Sequence, residues 1–206
     1  TFSMNRYFYK STISDFVNAS EESIFGQIAM QDEGDSGSEQ KFAWSEEIDT
    51  LKEALLPWKD EYAEIIFEYS IPRLGKRIDV VLLLRGIVFT IEFKAGQTSF
   101  LQSDMEQVMD YALDLKNFHL GSHDRTIVPI LVATKAKRTS HELNFSVYDD
   151  QIYNPLLTSK NKLGMLIENV IERENAQPSQ SNDFAEWAIS RFSYAHNYRG
   201  RQCTIS

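Results

Sequence analysis

The chain carries a single cysteine, Cys203, in 206 residues. An intrachain disulfide and a thiolate-based metal cluster are therefore excluded. Glycine (9) and proline (5) are scarce, which sets aside collagen-like and low-complexity classes. No apolar run approaches the roughly 20 residues that a membrane helix needs. Residues 1–10 are aromatic and polar rather than basic and then apolar, so no signal peptide is expected and a reducing, cytoplasmic location is. Positive charge is also in short supply: 21 basic against 30 acidic residues leave a net charge of −9. Such a chain does not coat nucleic acid by bulk charge. Local contacts remain open to it if a divalent metal neutralises its carboxylates and a limited basic surface, or a partner domain, holds the phosphates.

What is present is an ordinary globular composition, 42% hydrophobic and 25% charged, at a length of one domain with room for an appendage. Residues 4–30 carry Ile13, Phe16 and Val17, then Ile24, Phe25 and Ile28, at the spacing of one or two short helices. Residues 31–40 are polar and rich in Gly and Ser, a loop. Phe42, Ile48, Leu51, Leu55 and Leu56 predict an amphipathic helix over 41–56, closed by Pro57. Branched and aromatic runs predict strands over 65–71, 77–84 and 87–94, the last two joined as a hairpin at Arg85-Gly86. A second amphipathic helix is expected over 99–117, a buried strand over 126–133 and a further strand over 145–148. Residues 156–174 and 183–194 read as helices. Trp44, Trp58 and Trp187 read as packing residues in amphipathic helices. The sum is an α/β sandwich around one mixed sheet.

The hairpin brings charge together. A symmetric turn centred on Arg85 and Gly86 places Asp79 directly opposite Glu92, on one face, and like charges so placed are destabilising. Lys94 points to the same face as Glu92. The surrounding strand is apolar on both sides over residues 80–84, unlike a solvated sheet face that would merely pair Asp79 with Lys94 or Glu92 with Arg77. A divalent cation is the simplest explanation. Carboxylates suit Mg²⁺ or Mn²⁺, which accept phosphate oxygens as further ligands. Metal-assisted phosphodiester hydrolysis follows as the reaction class, with Lys94 placed to position the attacking water or stabilise developing charge. His119 and His123, beside Asp124, are interrupted by Gly121 and Ser122 and read as a loop rather than a metal site.

Ile78-Asp79, twelve intervening residues and Glu92-Phe93-Lys94 resemble the PD-(D/E)XK nuclease superfamily, over roughly residues 41–133. The chain has Ile78 where the name-giving proline would sit, a position without a role in the chemistry. The resemblance implies a restriction-endonuclease-like mixed sheet flanked by helices, with an α-β-β-β-α-β core and additional N- and C-terminal helices. It implies a Mg²⁺- or Mn²⁺-dependent nuclease with Asp79, Glu92 and Lys94 as catalytic residues. Asp79 and Glu92 would hold the metal, completed by Glu47 from the preceding helix, with Glu46 as second choice. Gln107 and Tyr111 resemble the QxxxY motif of exonuclease-type members, where they flank the metal and contact DNA; their spacing puts both on one helical face. On the residues alone Gln107 is equally well a surface residue and Tyr111 a core one. Lys135, Lys137 and Arg138 form a basic cluster where a phosphate backbone would run.

More narrowly, residues 70–96 and 111–134 resemble the N-terminal nuclease-like region of bacterial proteins in which a P-loop, helicase-like ATPase follows. No G-x-x-x-x-G-K-[ST] occurs in this chain, so the ATPase is expected as a partner or a missing region. Residues 1–176 are then the nuclease-like domain, with its core at about 41–134. Residues 177–206 are a C-terminal helix and a tail read as a truncated linker, its last dozen residues as a frameshifted end. The expected role is hydrolysis of DNA, with RNA as the other substrate, in bacterial DNA processing or defence, and a homodimer is left open. The alternative is a catalytically silent module of the same fold that binds nucleic acid or a partner ATPase.

Overall fold

The computed structural model describes residues 5–32, 37–139, 142–148 and 150–194. Its centre is a six-stranded mixed sheet in the order β1 (Tyr9–Thr12), β2 (Ala63–Ile71), β3 (Lys76–Leu84), β4 (Ile87–Lys94), β5 (Thr126–Ala133) and β6 (Leu156–Thr158). The first four strands pair antiparallel with one another. β5 and β6 lie parallel to β4. The parallel pairing requires a crossover, which α4 (Gln102–Phe118) supplies. α1 (Ile13–Asn18), α2 (Glu21–Gln31), α3 (Ser38–Ala54) and α5 (Leu163–Arg173) are the other α-helices among the described residues.

Capping sets the first helices. The Thr12 hydroxyl that ends β1 accepts from Asp15 N at 3.1 Å and starts α1, and Ser20 does the same for α2 through Ser23 N at 3.2 Å. The β3–β4 hairpin turns with Arg85 at φ 50° and Gly86 at φ 77°, two left-handed residues as the tight type I′ turn requires. Its register is the expected symmetric one, with Leu84 opposite Ile87 and Val80 opposite Ile91.

The sheet is buried on both faces. On one, Ile65, Phe67, Val80, Leu82 and Phe89 pack with Trp44, Ile48 and Leu51 of α3 and Leu163, Ile167 and Val170 of α5. On the other, Ile66, Val81, Leu83 and Val88 pack with Tyr111, Ala112 and Leu115 of α4 and with Phe184 and Trp187. This double burial explains the unbroken apolar runs of β3 and β5.

Three sequence expectations need correction. Residues 145–148 form no strand, only an isolated bridge from Phe145 to Tyr153. The expected helix over 156–174 begins instead as β6, because Leu156–Thr158 finds a free parallel partner along Ile130–Val132 of β5, and the helix starts at Leu163. Residues 183–189 are turns and 190–194 are irregular, with one isolated bridge from Phe192 to His119, rather than helical. The Phe184, Trp187 and Ala188 spacing that suggested a helix serves to bury those side chains against α4, and bonds from Leu120 N to Arg191 O and from Ser193 N to Phe118 O tie the following chain to the end of α4. Trp58 and Trp187 are buried as expected, but in a 3-10 turn and an irregular turn respectively. The short edge strand β1 was not anticipated. Residues 195–206, which hold most of the tail read as a frameshifted linker, lie outside the described residues. Among the described residues no helix is long and apolar enough to cross a membrane.

Leu82, fully buried in β3, tests this two-faced core. Leu82→Ala is expected to lower the unfolding free energy by about 2–5 kcal/mol, measured by urea denaturation.

Candidate functional site

Glu68, Asp79 and Glu92 occupy one row across β2, β3 and β4, and at that row the ladder is broken. Phe67 pairs with Val80 and Tyr69 with Ile78, leaving Glu68 and Asp79 facing each other between them, outside the ladder. The β3–β4 ladder likewise stops at Val80 opposite Ile91. The next amide, Phe93 N, donates to Asp79 Oδ2 at 2.9 Å, so a side chain replaces a backbone acceptor. Glu68 has φ 55°, a conformation uncommon for a residue with a Cβ.

The broken row changes which face each strand presents. Before it Ile65 and Phe67 belong to the α3-side core; after it Tyr69 and Ile71 belong to the α4-side core. On β3 the same exchange occurs between Val80 and Ile78. Strict alternation would keep both members of each set on one side. The acids thus sit at a crossing point that side chains from both helical layers reach.

From α3 comes Glu47, 1% exposed, with Oε2 buried and without a hydrogen-bond partner. The charges it faces are Asp79, Glu68, Glu92 and Glu46. Burial first, and then these neighbours, push its carboxyl well above the usual carboxylate range. Glu46 lies differently, with Oε1 3.6 Å from Lys160 Nζ, so Glu47 is the α3 acid that faces the row. Trp44, one turn earlier, donates its indole N–H to Glu68 Oε1 at 3.0 Å.

Burial is also the largest cause at the other three acids. It raises Glu68 to about 7, with Asp79 adding to the shift and the Trp44 bond opposing it. Asp79 rises to about 6, opposed by the Phe93 amide and by Lys94. Glu92 is pushed well up, by burial and then by Asp79.

From the α4 side, Lys94 Nζ lies 3.3 Å from Asp104 Oδ1, 3.3 Å from Gln107 Oε1 and 3.9 Å from Glu92 Oε1. Asp104, Gln107 and Tyr111 share one face of α4 through their spacing of three and four. Tyr111 is buried, and its hydroxyl is held protonated by burial and by the charges of Glu92 and Asp79. Lys135, Lys137 and Arg138 are exposed. Bonds from Lys135 N to Gln97 O and from Gly96 N to Thr134 Oγ1 tie their loop to the segment leaving Lys94. Among the described residues, no three acid or histidine side chains close into a metal-gripping group as they stand. The donors present are nevertheless all carboxylate oxygens, of the hard type that Mg²⁺ and Mn²⁺ prefer, and one is buried and unpartnered.

The structure therefore gathers Glu47, Asp79, Glu92, Lys94, Gln107 and Tyr111 and hangs the basic loop nearby. His119 belongs elsewhere. It is fully buried, with Nδ1 2.7 Å from the Ser122 hydroxyl and Nε2 3.1 Å from Trp187 O. Burial and Arg6 lower it to about 4, so it is neutral. His123 is exposed.

Two residues escaped the sequence reading. Glu68 was legible by the hairpin argument, since a symmetric turn about Arg73 and Leu74 sets it opposite Asp79. Asp104 was legible as the acid one turn before Gln107. No protein family, curated protein or solved structure matches the chain.

An acid whose folded pKa lies above its unfolded one binds more protons in the native state, so stability falls as pH rises from the ordinary carboxylate value to the raised one. For Asp79 the window runs from 3.8 to about 6. Asp79→Asn keeps the acceptor for Phe93 N and removes the charge. In EDTA the variant is expected to be more stable than the parent at pH 7.5, by about 1–3 kcal/mol, with the gap closing towards pH 4. Thermal melts across that range measure it.

Proposed function

We propose that the chain is a metal-dependent nuclease of restriction-endonuclease-like fold that hydrolyses phosphodiester bonds in DNA. The observation that carries this reading is the buried, unpartnered Glu47 oxygen facing Asp79 and Glu92, with the Lys94 ammonium beside them. The element order α3-β2-β3-β4-α4-β5 supports the proposed fold. Asp79, Glu92 and Glu47 would hold Mg²⁺ or Mn²⁺, and the ion when bound would lower the pKa of a water and neutralise charge on the phosphate.

The chain's own groups do the rest. Asp104 and Gln107 hold the Lys94 side chain in place, so its ammonium orients a water or meets developing negative charge. Gln107 and Tyr111 border the site and position the substrate strand. Lys135, Lys137 and Arg138 give local phosphate contacts that a net charge of −9 does not supply in bulk. A role in bacterial DNA processing or defence, beside a helicase-like ATPase, accords with this reading.

A second reading is a silent module of the same fold that binds nucleic acid or an ATPase subunit. It is favoured by the acids not closing into a three-ligand group as they stand.

Incubation with single- and double-stranded DNA and RNA in Mg²⁺, Mn²⁺ or EDTA decides between them. Metal-dependent cleavage is expected, reduced about 100-fold or more in Lys94→Ala. Cleavage in EDTA, or full activity of Lys94→Ala, would overturn the nuclease reading. No cleavage with metal still bound, read by a parallel thermal-shift titration, would point to a nuclease that awaits its ATPase, and no metal binding would favour the silent module.

A further inference from the structure

Glu68 has no place in the motif that drew attention to Asp79, Glu92 and Lys94, yet it lies within the same constellation. It is 8% exposed, stands across from Asp79 where the ladder is open, and is one of the charges facing the unpartnered Glu47 oxygen. Trp44 fixes its orientation through the 3.0 Å bond to Oε1. A structural role as Trp44's acceptor would not require a carboxylate, since an amide oxygen accepts equally well. A buried negative charge beside two others is costly unless a cation compensates it. Among the cations of the described residues, Lys94 acts on Asp79 and Glu92 but is shared with Asp104 at 3.3 Å, and Arg77 offsets Glu68 only in part, its guanidinium donating to the backbone oxygens of Glu68 and Asn5.

We propose that Glu68 is a fourth carboxylate ligand of the metal site formed with Glu47, Asp79 and Glu92. The proposal rests on the metal-binding reading above and extends it to a residue on β2. Glu68 brings hard oxygen donors from the α3 side of the crossing point, opposite Lys94 and α4. Because it is anchored by Trp44 and by the fold of β2 rather than by a loop, it is pre-positioned for a divalent cation.

Calorimetric titration of the metal-free full chain with Mn²⁺ tests this, using the parent, Glu68→Gln and Glu92→Gln, with circular dichroism to verify folding. Glu68→Gln keeps the acceptor for Trp44 and removes the charge. It is expected to bind Mn²⁺ at least about 10–100-fold more weakly, the loss that follows removal of even an outer-sphere partner. Trp44→Phe, which removes only the indole donor, is expected to lose less. Unchanged Mn²⁺ affinity in Glu68→Gln, with binding lost in Glu92→Gln, overturns the role of Glu68 and leaves the metal site standing. A parent chain that binds no Mn²⁺ overturns both. If Glu68→Gln does not fold, Glu68→Asn, which also removes the charge and tolerates the left-handed backbone at this position, replaces it, and unchanged affinity there overturns the proposal equally.

Discussion

Carboxylates buried side by side lose hydration and repel one another, and both effects favour the neutral form. In this sheet and the helix over it Glu47, Glu68, Asp79 and Glu92 are held in that condition with only partial compensation, from Lys94 at Asp79 and Glu92 and from Arg77 at Glu68. Phe93 N holds Asp79, the Trp44 indole holds Glu68, and Glu47 sits on a helix whose neighbouring residues are locked in the core. The arrangement persists because the stability of the fold comes from elsewhere. Two apolar cores, one on each face of the sheet, outweigh a strained polar row between them.

The row also organises its surroundings. Glu68 at φ 55° does more than break a ladder, because it turns Tyr69 from one core into the other. There the Tyr69 hydroxyl meets His119 Nε2 and Ala188 O, each at 3.2 Å. His119 in turn packs on Trp187 and Phe192, with centroids 4.5 Å and 4.9 Å away. This aromatic cluster holds the C-terminal end of α4, while Lys94 is bonded to Asp104 and Gln107 nearer the helix's start. The helix bearing Gln107 and Tyr111 is thus fixed at both ends, and its upper fixing depends on the same backbone feature that opens the acid row.

Charge is divided by location. The acids are buried at the crossing point, whereas Lys135, Lys137 and Arg138 are exposed on a loop tied to the end of β4. A negative chain presents positive charge there without diluting the acid site.

Local pattern determined much of this protein. Helical spacing located α3 and α4, and apolar runs located β3, β4 and β5, because periodicity of burial is a property of the chain itself. A two-residue turn set the β3–β4 register, and with it the facing of Asp79 and Glu92 and the siting of Lys94. Tertiary structure decided what pattern could not express. Leu156–Thr158 became a strand because β5 offered a free edge, and residues 183–194 form turns and irregular chain in which Phe184, Trp187 and Ala188 bury against α4. The selection of Glu47 over Glu46, the entry of Glu68, and the latch of Asp104 on Lys94 all depend on elements distant in sequence meeting where two strands exchange faces. That exchange is a long-range backbone event, which no local periodicity records.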